Sequence, residues 1–200
     1  GRAQAAYAAG QAYVVAGHTR MVTNGSEENQ HNNQPVIKGQ AVVLHNGIIV
    51  NDVAVWQAHP ELHREHQVDT EVFAALLDSG VSRGDGWARA MTQAFAACQG
   101  ANTIAALHGG SDFMLLGTTN GSLYHCQDEA LGLTLFASEA YILEQAMRSL
   151  PGRPGATARN TASSSEPMMT TIIGMSRSVR SCAPPAPAPM PFKPSRADEM

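Results

Sequence analysis

At 200 residues and 21.2 kDa the chain is sized for one domain, or one domain and an extension. Hydrophobic residues at 44 % suffice for a core, while a net charge of −4 argues against a general nucleic-acid binder and no apolar stretch nears the roughly 20 residues of a membrane helix. Cys98, Cys126 and Cys182 are too widely spaced for a disulfide framework or a zinc knuckle, and GRAQAAYAAGQAYVV at the start lacks the compact leucine-rich stretch of a secretion signal. A reduced, cytoplasmic setting is the expectation.

Ala12–Thr19 (AYVVAGHT) is β-branched and apolar and reads as a buried strand. Ala41–His45, then Gly47, then Ile48–Val50 read as strand, tight turn, strand. From Thr70 to Leu77, apolar residues at Val72, Phe73, Leu76 and Leu77 make one helical face, with Asp69 as its N-cap. Trp87, Met91, Phe95 and Cys98 form a second helical stripe after Gly86. Strands are expected at Thr103–Leu107, Phe113–Thr118 and Ser122–His125, separated by the turn dipeptides Gly109-Gly110 and Asn120-Gly121. The Asn-Gly pair predicts a two-residue hairpin. Leu133–Ala137 is a last strand, and Ser138 opens a helix through Met147 with Glu139 in its first turn. Helices grouped between strands suggest a layered α+β domain.

The composition changes after Met147. Residues 148–200 hold nine of the eleven prolines and seven cationic residues against three acidic ones, so this segment carries +4 and residues 1–147 carry −8. A Pro/Ser-rich segment with few aromatics buries too little apolar surface to offset the entropy of ordering it. It is therefore expected to be a mostly disordered basic tail on a domain spanning 1–147. Its one interruption, Met168–Met175 (MMTTIIGM), is a short strand or a docking segment.

Four polar segments stand at strand mouths or a helix start: GHTRMVTNG (17–25), NNQPV (32–36), VVLHNGIIVN (42–51) and VDTEVFAALL (68–77). Arg20 offers a planar fork for a carboxylate, or is a surface arginine. Asn46 beside Gly47 makes a two-donor pocket for an oxyanion, or a plain hairpin turn. Asp69 holds an ammonium group, or only caps its helix. His59, His63 and His66 would share one helical face, but Pro60 marks their stretch as a connector, and neither a metal nor another cofactor is expected.

In order and spacing, HTRMVT, NNQP, VLHNGIIVN and DTEV resemble the glutaminase domain of class II glutamine amidotransferases. The later LLGTTNGSLYHC and LTLFASEAYILEQAM carry the resemblance on to about residue 147. It implies an N-terminal-nucleophile hydrolase-like αββα sandwich with two antiparallel sheets, here lacking its first strands. It implies L-glutamine as ligand, with Arg20 on the α-carboxylate, Thr23 beside it, and Asp69 on the α-ammonium. The Asn46 side chain and the Gly47 N–H would form the oxyanion hole, while His18 and His45 are expected to be structural. The ammonia released would go to an acceptor synthase domain or chain.

In that family an N-terminal cysteine attacks the glutamine amide with its own α-amino group as base, giving a glutamyl thioester that water releases as glutamate. This chain starts Gly1-Arg2 and places none of its cysteines there. Glutamine hydrolysis by the chain alone is therefore not expected, and truncation is the expected explanation. The alternative is a nucleophile-less relative that binds glutamine or a protein. Met21 and Asn24 replace a frequent aromatic and a frequent histidine of the family. NNQP leans to one branch and HNGII to another, so the acceptor stays unassigned.

Overall fold

The computed structural model describes residues 14–19, 33–109, 111, 113–128, 133–150, 159–160 and 169–174. Its strands are β1 (Val36–Lys38), β2 (Ala41–Ile49), β3 (Gly100–His108), β4 (Phe113–Thr118), β5 (Tyr124–Asp128), β6 (Leu133–Ala137), β7 (Arg159–Asn160) and β8 (Met169–Gly174). The helices are α1 (Asp52–Ala58), α2 (Thr70–Ser82), α3 (Trp87–Ala97) and α4 (Ala140–Arg148).

The larger sheet runs β1-β2-β3-β4-β8 and the smaller β6-β5-β7, with every pairing antiparallel. Strand alternation sorts the larger sheet into two faces. Val43, Ile104, Ala106 and Leu115 join Val72, Phe73 and Leu77 of α2 and Met91 and Phe95 of α3 in the main core. Leu44, Ala105, Met114 and Leu116 point the other way, onto Leu123 and onto Phe136 of the smaller sheet. Helix α4 lies against β5 and β6. The layers are thus helix, sheet, sheet, helix, the α+β sandwich expected. A central sheet covered on both faces explains why AVVL and TIAAL read as continuous apolar runs.

Both inner helices form where the periodicity placed them. Asp69 caps α2 by accepting from the Thr70 N–H at 2.9 Å. Phe73 and Phe95 meet edge to face, centroids 5.0 Å apart, where the two helices pack.

Several expectations need correction. Val14–Thr19 has no regular structure, and Val15–Thr19 are exposed. A strand needs a ladder partner, and among the described residues none pairs with this segment. Asn46-Gly47 is no turn, because β2 runs unbroken from Ala41 to Ile49 in nine-residue register with β3. Asn120-Gly121 closes no hairpin, since β4 and β5 belong to different sheets. Both edges of β4 are taken, by β3 and β8, so the chain must cross over. The Asn120 side chain braces that crossover by accepting from the Thr103 and Thr118 hydroxyls and the Ser122 N–H. As a result β5 starts at Tyr124, two residues later than expected. Glu139 has extended backbone and stands before α4 rather than in its first turn. Beyond residue 148, Arg159–Asn160 pairs with β5, and Met169–Gly174 takes the short-strand option as the edge strand beside β4.

Candidate functional site

The end of β2 gathers the motifs. Asn46, Gly47 and Ile48 are exposed there, between buried His45 and buried Ile49. Gly47 has φ 145°, and a Cβ on it would collide with the carbonyl oxygen of Ala101 on β3 and come within 2.9 Å of His45 Nε2. Only glycine lets β3 approach so closely. Gly47 is exposed, with no side chain of its own over its backbone N–H.

His45, just before Asn46, is fixed twice over. Gln34 accepts from its N–H at 2.5 Å and donates to its carbonyl at 2.6 Å, so NNQP clamps HNG directly. Its ring lies between the Thr70 hydroxyl, 3.0 Å from Nδ1, and Asn102 Oδ1, 3.1 Å from Nε2. Burial holds the imidazole pKa below its ordinary value, and a charge on His18 pushes the same way, against the raising effects of Asp69 and Asn102.

Asp69 is 3 % exposed. Its Oδ2 accepts from the Ile49 N–H at 2.8 Å, which ties the start of α2 to the strand carrying Asn46 and Gly47. With Oδ1 on Thr70, about two of its four lone-pair sites are left for a further donor among the described residues. Asp69, Asn46 and Gly47 are thus brought to one strand end. Arg20 and Thr23 lie outside the described residues.

Around this centre the supports are polar and buried. Glu71 is fully buried, pairs with Lys38 Nζ at 2.9 Å, and accepts from the N–H groups of Glu65 and His66. The connector between α1 and α2 is thereby pinned under β1. Glu65, His66 and Glu71 each offer one atom within 4.8 Å of the others, but Lys38 already bridges both carboxylates. His59 and His63 lie on the same connector outside this group. Asn51 donates to the Ala97 carbonyl and accepts from the Gln99 N–H, so the last residue of the HNGIIVN pattern joins β2 to the end of α3.

Cys98 does not suit nucleophilic chemistry. Cys98 is packed in the core, where burial, then Asp69 and Asp52, push its thiol up to about 12. Cys126 is half-buried on β5. Sequence reading missed Gln34, Thr70 and Asn102 as individual residues. Gln34 and Thr70 stand inside the NNQP and DTEV motifs, and Asn102 is a polar side chain opening an otherwise apolar run.

The family profile described as glutamine amidotransferase domain matches residues 18–145. A glutamine–fructose-6-phosphate aminotransferase of Caulobacter vibrioides is 34 % identical over 108 residues, 53 % of this chain and 18 % of that protein. The Bartonella quintana protein of the same name is 29 % identical over 154 residues, 70 % of this chain and 25 % of the relative. The chain thus spans a quarter or less of these relatives. Among solved structures, a glutamine phosphoribosylpyrophosphate amidotransferase from B. subtilis superposes with TM-score 0.55 at 19 % identity, covering 80 % of this chain and 34 % of that one.

Proposed function

The chain belongs to the glutamine amidotransferase domain family, and from that premise we propose that its site binds L-glutamine for hydrolysis of the side-chain amide to glutamate. The ammonia would pass to an acceptor synthase domain or chain. One observation carries this reading: the Ile49–Asp69 hydrogen bond holds a carboxylate beside the strand end that presents Asn46 and Gly47. A buried carboxylate suits the α-ammonium group, and paired N–H donors suit the oxygen that gains charge when the amide is attacked. Arg20 is assigned to the α-carboxylate, with Thr23 beside it, by their places in HTRMVT.

The thiol chemistry of the reaction is not supplied by Cys98, and Cys126 stands on a strand of the smaller sheet. The cysteines among the described residues are therefore expected to leave bound glutamine unhydrolysed. Titration calorimetry tests the binding. L-Glutamine should bind, and its analogue lacking the α-amino group should bind about tenfold or more weaker, the worth of a buried charge-assisted hydrogen bond. In Asp69→Asn the two ligands should bind alike. Equal affinity of both ligands for the unmodified chain would remove Asp69 from the ammonium role.

A further inference from the structure

The partners of His45 decide which of its ring nitrogens carries the proton. Asn102 directs its amide nitrogen at the carbonyls of Cys98 and Gly100, at 3.3 and 3.4 Å, so the Asn102 oxygen is what faces His45 Nε2. An amide oxygen only accepts, so Nε2 bears the hydrogen. In the neutral ring Nδ1 is then an acceptor, and the Thr70 hydroxyl donates to it. The ring is 2 % exposed and both nitrogens are used.

The two partners are not arbitrary. Asn102 is the cross-strand neighbour of Gly47, and Thr70 follows Asp69 directly. One rigid ring thus braces both the strand opposite the anion-hole donors and the helix start bearing the carboxylate. We propose that His45 is a positioning residue that sets the Asn46–Gly47 donors at a fixed separation from Asp69, as a neutral imidazole protonated on Nε2. This rests on the glutamine-binding reading above. Glutamine carries its ammonium and its amide at opposite ends, so drift in that separation would cost contact at one end or the other. An imidazole presents a donor and an acceptor on diverging sides. Asparagine can replace only the Nδ1 acceptor, and glutamine only the Nε2 donor.

Two measurements on the full chain test this. Nitrogen-15 NMR of the histidine side chains, with His45 assigned by its loss in His45→Gln, should show an Nε2–H tautomer at neutral pH. An Nδ1–H tautomer, or the averaged pattern of a solvated ring, overturns the proposal. L-Glutamine affinity should fall about tenfold in Thr70→Val and return in Thr70→Ser, with circular dichroism unchanged. His45→Asn, which keeps the Thr70 contact, should bind more tightly than His45→Ala. Unchanged affinity in a folded Thr70→Val overturns the proposal and leaves the glutamine reading standing. Absence of glutamine binding by the unmodified chain overturns both.

Discussion

Gly47 is where one hydrogen atom decides the architecture of the site. In Gly47→Ala, the added methyl would meet the Ala101 carbonyl at a φ that L-residues avoid. We expect a loss of about 3 kcal/mol in urea denaturation, from backbone strain and steric overlap together, and loss of glutamine binding. His45 adds a pH dependence. Its folded pKa is depressed mainly by burial, so below the ordinary 6.5 the unfolded chain takes up a proton that the fold resists. Its contribution to stability should be complete above 6.5 and be lost as pH falls through the folded value. Denaturation midpoints should therefore drop between pH 7.5 and 5, and less so in His45→Gln. The residue types at these positions were readable from the motifs. The neutral Nε2–H form was not, because it depends on Asn102, 57 positions away.

Among the elements, the contact of α3 with β4 depends on Gly117. A Cβ there would stand 2.6 Å from Phe95 Cε2 and 2.9 Å from Met91 Cε. Gly117→Ala should cost about 1–3 kcal/mol through overpacking, seen as a lower thermal midpoint. The connector before α2 depends on Lys38. In Lys38→Met the buried Glu71 keeps its N–H donors but loses its cation, and we expect a loss of about 3 kcal/mol by chemical denaturation. Helices α2 and α3 were legible because a 3.6-residue period is written in consecutive residues. The Asn120-Gly121 turn was misread for the converse reason. Its hairpin signal is local, but whether β5 can pair with β4 depends on β3 and on β8, some fifty residues downstream.

For the fold entire, the segment after residue 148 matters more than its composition suggests. The sheet edge beyond β4 is β8, and without it β4 would present unpaired backbone. We propose that the folding unit continues to Gly174. A chain ending at Arg148 should then unfold at lower denaturant and aggregate more readily than one ending at Gly174. Equal midpoints would place the boundary at 148. From sequence, the family and the sandwich class were within reach, and Asn46, Gly47 and Asp69 stood out as candidates, since motif order and hydrophobic period are properties of neighbouring residues. The meeting of those residues at one strand end was settled by tertiary structure, through Ile49–Asp69, Gln34–His45 and the ring between Thr70 and Asn102. Each of these contacts joins positions at least eleven apart, and local sequence does not encode a distance that the packed sheets alone impose.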